Sequence, residues 1–310
     1  MNPALQGYLA AVAEELVATG DLATGADQLS AVAAAVDGSS VLLLVMTDDT
    51  ITAAARRAVI EDVLDAKVST LVRRLVGQAA QVTPAAELPA ALHGLASHLQ
   101  RWASGDGFPS GEAEEPLGRM AARHRVGGYA AAVFASLAVA DIEGAEDELF
   151  RFTRIVEAHR PLRAALSDRE LAVPARLSLV ADLLGTQASE ATRRLVAYAI
   201  RGGRARDIVS TLDFLIEEAA RARGWRVARV QAAEAVDESQ QHQLAEALGR
   251  LAGAPVELQI TVDPVLLGGV VVEVGDLLID GSVRHRLDQL KERVLVSEAS
   301  YRARDGREGT

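Results

Sequence analysis

Six histidines, a glycine pair and a repeated arginine motif are the residues of this chain whose types could bind a metal, shape a site or hold charge. None of the histidines has the company that catalysis needs. His93 and His98 stand five apart, off a shared helical face, with no acidic or thiolate partner at ligand spacing. His124, His159, His242 and His285 are scattered among charged or helical segments and are expected at the surface. There is no cysteine, which removes disulfides, thiolate metal sites and cysteine nucleophiles together. The sequence has neither a GxxxxGK[ST] phosphate loop nor a GxSxG serine elbow. The expectation is no catalytic residue, no metal and no cofactor.

Two features invite a binding role. RRLV occurs at 73–76 and again at 193–196, and Arg73, Arg74, Arg193 and Arg194 could steer an acidic partner helix. A solvated helix face is the simpler reading, because exposed charge pairs contribute little. Gly268 and Gly269 read as conformational, allowing a turn or bulge that other residues would strain. Asp280, Gly281 and Ser282 read as a turn followed by a helix cap.

The elements that must position these residues follow from composition and repetition. The 310 residues suggest two or three domains. Apolar residues make up 49% but aromatics only 4%, so the cores are built of Ala, Leu and Val, which favours closely packed helices. The formal charge of −11 repels phosphate backbones, so no nucleic-acid partner is expected. The longest strongly apolar run, 41–46, falls far short of the roughly 20 residues that span a bilayer. No secretory signal is evident at the N-terminus. A soluble, cytoplasmic protein is expected, touching the membrane only through partner subunits.

The chain repeats itself at about 120 residues. GYLAAV at 7–12 returns as GYAAAV at 128–133. The block 47–79 aligns without gaps on 167–199, with 11 identities in 33 positions, including Arg56 with Arg176 and Asp62 with Asp182. Two copies are too few, and each is too long, for a solenoid. Each copy reads as six helices. In the second they fall near 129–140, 142–158, 161–166, from Pro174, 188–200 and 205–223, stopped by Gly202–Gly203 and Gly224. The stripe Ile208, Leu212, Leu215 and Ala219 marks the last of these, matched in the first copy by Leu92, Leu95, Leu99 and Trp102.

After Gly224 the period changes. Strands are expected at 226–233 and 255–262, with a helix at 237–251 between them. A hairpin turning at Gly275–Asp276 and a last helix at 282–295 should follow. The fold class expected is mainly α: two six-helix bundle domains in tandem, then a small α+β C-terminal module. The boundaries are 1–104 and 128–223 for the helical domains, 105–127 for a Gly/Pro/Ser/Glu-rich linker, 224–296 for the module and 297–310 for a disordered tail.

Residues 263–294, DPVLLGGVVVEVGDLLIDGSVRHRLDQLKERV, closely resemble the C-terminal signature of the F-type ATP synthase delta subunit, the oligomycin-sensitivity-conferring family. Its marks are a double glycine after a short apolar turn, a hairpin, then Asp-Gly-Ser opening a Leu-spaced helix. Residues 128–262 also look like that family, and 7–103 join it through the repeat. The doubled helical domain resembles actinobacterial-type stators, in which the delta region is also found fused behind a b subunit. With no membrane helix or long coiled coil before it, this chain is expected to be a free-standing version.

The resemblance implies a non-catalytic peripheral-stalk (stator) subunit, linking the catalytic head to the b stalk and resisting rotor torque. The helical domain would hold an alpha-subunit N-terminal helix in a groove between its first and fifth helices, an ordinary recognition mode. The groove residues would be Tyr129, Val133, Phe134, Ala191, Leu195 and Tyr198, with Tyr8, Val12, Val68, Leu71, Val72 and Leu75 in the first copy. Core packing is the competing reading for about half of these. Two copies could engage two alpha N-termini and gain avidity. The C-terminal module would bind the C-terminal region of b, placing the protein peripherally on the cytoplasmic face of the cell membrane. The alternative reading, a helical regulatory or RNA-processing factor, is opposed by charge and by the C-terminal signature.

Overall fold

The computed structural model describes residues 1–106, 117–224, 226–252, 255–263, 266, 268–274 and 277–280. Two compact units divide the chain, Met1–Ala222 and Arg223–Thr310.

Among the described residues, the first unit is helical. Its first copy comprises α1 (Pro3–Thr19), α2 (Leu22–Gly38), α3 (Ser40–Thr47), α4 (Ala53–Val63), α5 (Thr70–Val82), a 3₁₀ turn (Ala85–Glu87) and α6 (Leu88–Ala103). The second comprises α7 (Arg119–Ala135), α8 (Val139–Ala158), α9 (Arg160–Ser167), α10 (Val173–Leu184), α11 (Glu190–Arg201), a 3₁₀ turn (Ala205–Asp207) and α12 (Ile208–Ala222).

The sequence repeat is a repeat of local chemistry. Ser69 caps α5 from its side chain, and Ser189 caps α11 in the same way. The backbone N–H of Ser69 donates to Gln28 at 2.9 Å; that of Ser189 donates to Glu148 at 2.8 Å. Buried Arg56 donates back to the Ile51 carbonyl, and buried Arg176 to that of Leu171. α1 illustrates how the ends are closed. Asn2 accepts the Ala4 N–H, proline opens the first turn, and Gly20 takes a left-handed φ of 78° to stop the helix.

Two expectations are corrected here. α7 begins at Arg119, so the last nine residues assigned to the linker are helical. Ala122, Arg125, Val126 and Tyr129 recur at helical spacing and are all buried, which extends the helix backward. Arg125 is held there by two hydrogen bonds to the Gly202 carbonyl, 2.9 Å from Nε and 2.6 Å from Nη2. The other concerns independence: a single apolar cluster draws on both copies, from Leu5 to Ala219. Tandem bundles with separate cores are not what the chain forms.

The second unit carries a four-stranded sheet of order β2-β1-β3-β4, from β1 (Arg226–Ala232), β2 (Val256–Val262), β3 (Val270–Val274) and β4 (Leu277–Asp280). β1 pairs parallel with β2, and α13 (Glu238–Ala252) is the crossover between them. β1 with β3 and β3 with β4 are antiparallel. Ala228, Val230, Val256 and Val272 make the core with Leu248 of α13. Asp237 and Gln240 cap α13 reciprocally, each side chain accepting the other's backbone N–H at 2.8 and 3.0 Å. Val274 stands opposite Leu277, so the strands flank the expected turn; Gly275 and Asp276 themselves lie outside the described residues.

Candidate partner-binding site

The helix pair α1 and α7 is the centre of the helical unit. The two helices cross where their glycines meet. A Cβ on Gly7 would fall 1.8 Å from the Arg125 carbonyl oxygen, and one on Gly128 would fall 1.9 Å from that of Ala4. Only glycine permits this backbone-to-backbone approach. These are the glycines of the repeated GY motifs, so one residue type recurs in each copy because each copy supplies half of the crossing.

A polar cluster flanks the crossing. Tyr129 of α7 donates its hydroxyl to the Glu14 carboxylate on α1, and Arg201 of α11 pairs with the same carboxylate. Arg194 Nε stands 3.6 Å from Glu14, while its Nη2 donates to the Ala11 carbonyl at 3.2 Å. The Tyr129 and Tyr198 rings stack at 3.8 Å, and the Arg201 guanidinium lies 5.1 Å from the Tyr198 ring. Burial, then the Glu14 charge, pushes the Tyr129 phenol far above its ordinary pKa. Burial works against the Arg201 cation, yet the hydrogen bond and charge of Glu14 outweigh it, and its pKa is raised. The cluster therefore holds a neutral phenol, a carboxylate and two cations. The first copy lacks its equivalent: Gln78 and Gln81 stand where the second has Tyr198 and Arg201.

The expected groove residues lie in this region. Tyr8, Val12, Val72, Leu75, Tyr129, Val133, Phe134, Leu195 and Tyr198 are each 4% exposed or less, whereas Val68, Leu71 and Ala191 are half-buried. Nine of the twelve are packed inside the unit. Sequence reasoning missed Glu14, Arg125 and Arg201; the signal available was a conspicuous pair of glycines, read only as a repeat marker. The RRLV arginines divide. Arg73 pairs with Asp65 and Arg193 with Glu190, both at the surface, while Arg194 crosses to the other copy.

Other surfaces are simpler. His93 pairs with Asp37 at 2.7 Å, His98 sits 2.8 Å from the Gly94 carbonyl, and His159 caps α9. No metal-ligand cluster occurs among the described residues. α3 exposes Val41 and Leu44, where α9 has Pro161 and Ala164. Gly268 and Gly269 adopt φ of 143° and 83°, conformations that require glycine. Asp280 ends β4; Gly281, Ser282 and the expected helix at 282–295 lie outside the described residues.

A mainly helical protein whose two copies interlock, with a small mixed sheet, is the class that this architecture defines. The family model for the ATP synthase delta (OSCP) subunit matches residues 126–294, taking in the second copy and the sheet unit. ATP synthase subunit delta of Corynebacterium urealyticum is 32% identical over 275 residues, covering 88% of this chain and 89% of that protein. That is more than residues 128–310 could supply, so part of the first copy is matched too. ATP synthase subunit delta of Streptomyces lividans is 40% identical over 153 residues, and ATP synthase subunit b-delta of Mycobacterium sp. (strain KMS) is 45% identical over 145. These matches cover 49% and 46% of this chain and span 56% and 32% of those relatives. A chain of the Toxoplasma gondii mitochondrial ATP synthase hexamer aligns at 21% identity with a TM-score of 0.38, over 55% of this chain and 97% of that one, and adds nothing to the family match. The chain belongs to the ATP synthase delta (OSCP) subunit family, a structural rather than catalytic component of that complex.

Proposed function

We propose that this chain is a peripheral-stalk subunit that joins the catalytic head to the b stalk and resists the torque of the rotor. The helical unit, with its two six-helix copies, engages the N-terminal helices of alpha subunits. The sheet unit engages the C-terminal region of b. The protein is held peripherally at the cytoplasmic face of the membrane through those partners. The observation that carries this reading is the family match over 126–294, which includes both kinds of unit in one stretch. A connector must transmit force without yielding, and a backbone-to-backbone helix crossing flanked by partly buried ion pairs suits that task.

The test is recovery from detergent-solubilised membranes with the full chain as bait. Alpha and b subunits are expected together in the eluate. Recovery of RNA or a transcription factor with neither subunit would sink the reading.

A further inference from the structure

The residues that a partner helix would use are already in use. α1 is buried on every side over about two turns: Gly7, Tyr8, Leu9, Ala10, Ala11, Val12 and Ala13 are all inaccessible in succession. An amphipathic helix at the edge of an independent bundle would leave one face open to solvent. Its own copy accounts for part of this burial, through the apolar cluster shared with α2, α5 and α6. The second copy accounts for the rest. α7 meets α1 at the glycine crossing, and α11 reaches it through Arg194 to the Ala11 carbonyl and Arg201 to Glu14. α7 and α11 are the first and fifth helices of the second copy. α1 thus lies along the first of these and is tied to the fifth by two arginine side chains.

We infer that the first helix of the first copy is the resident ligand of the second copy's first-and-fifth-helix groove. The duplication supplies in cis an occupant for that groove, so a partner helix docks on other surfaces of this chain. The chemistry of the seat supports a specific fit. Glu14 on α1 answers Tyr129, Arg194 and Arg201 on the second copy, and Gly7 answers Gly128. Both halves of each match are needed: a bulkier residue at either glycine prevents the approach, and a lost carboxylate leaves partly buried cations without their shared anion. The stator reading enters only in saying which partner is excluded. The pairing of the copies stands without it.

The test uses the full chain carrying a protease recognition sequence inserted between residues 107 and 116, cleaved after folding. If the copies are one another's ligands, the two pieces co-elute in size exclusion under native conditions. Pieces that separate on cleavage would show two merely tethered bundles and overturn the inference. In the nicked chain, Glu14→Gln should raise the rate at which labelled N-terminal piece exchanges by about tenfold or more, the effect of losing a charge-assisted hydrogen bond. Gly7→Leu should separate the pieces or prevent folding; Glu14→Gln, which adds no bulk, keeps the inference testable in either case. An unchanged exchange rate for Glu14→Gln would remove the cluster from the joint and overturn the assignment of the seat.

The closing arm adds excess synthetic peptide corresponding to the alpha subunit's N-terminus. The pieces are expected to stay together. Release of the N-terminal piece by the peptide would show the groove open to exchange and overturn the inference. Failure of the intact chain to recover alpha and b from membranes would instead strike the stator reading, leaving the co-elution result untouched.

Discussion

Replacing Gly7 by alanine should destabilise the protein, whereas the same change at Gly144 should stabilise it. Both glycines lie inside α-helices, where alanine is intrinsically better by about 1 kcal/mol. At Gly144 the added Cβ meets nothing within 4 Å, so the gain is realised in full, roughly 0.5–1 kcal/mol. At Gly7 it would sit 1.8 Å from the Arg125 carbonyl oxygen, where ordinary contact begins at 3.4 Å. The obstacle is helix backbone and cannot rotate aside. α1 and α7 must separate by about 1.6 Å, and overpacking of that kind typically costs about 1–3 kcal/mol, occasionally more. Because the loosened packing runs along both helices, we expect a net loss of about 2 kcal/mol after the helix gain. For a unit of this size that lowers the midpoint by roughly 4–8 °C, against a rise of about 1–4 °C for Gly144→Ala. The assay is thermal and urea unfolding of the full chain, followed by far-ultraviolet circular dichroism. A Gly7→Ala protein that melts above the parent would refute the close crossing, and with it the argument that the two copies share one joint.

Three further outcomes are expected. Arg125→Met should cost about 2–4 kcal/mol in urea denaturation, because it strips the Gly202 carbonyl of two hydrogen bonds in a buried site. Glu148 should make stability fall in acid. Burial opposes its charge, but hydrogen bonds from Thr192 and Ser189 outweigh that and lower its pKa, so its contribution is present above the ordinary carboxylate value of 4.5 and is lost as pH falls through the depressed folded value. Glu148→Gln should flatten that acid limb while Gln28→Ala, at the uncharged counterpart in the first copy, leaves its shape unchanged; stability measured against pH decides. Asp237→Ala should cost the sheet unit about 1 kcal/mol by removing half of its reciprocal cap, readable as faster amide exchange in the first turn of α13.

Local structure was largely legible, since it is written in short-range chemistry. Pro174 near a helix start, Gly202 and Gly224 near helix ends, and the alternation of 255–262 each fix a few dihedral angles, and the elements fall there. The start of α7 was missed because Gly127 and Gly128 look like a break, while the buried stripe of Ala122, Arg125 and Val126 shows only once the chain is folded. The joint was illegible for a different reason. Tyr8 and Tyr129 have the pattern of a helix face turned inward, and periodicity cannot say whether the covering helix belongs to the same copy, the other copy or another protein. Glu14 resembled any solvated acid. Its partners lie on helices far along the chain, and nothing in its neighbourhood points to them.

The separation of those partners along the chain has a consequence during synthesis. Glu14 is made 187 residues before Arg201. At about 5–20 residues per second, the interval is on the order of 10–40 seconds. Throughout it the apolar seam of α1 waits with half its cover unmade, exposed to the ribosome, to chaperones and to other nascent chains. An order of translation that delivers the occupant first and the seat later makes the doubled domain slow to mature by construction of its topology, and a message truncated between the copies would release a product with that seam bare.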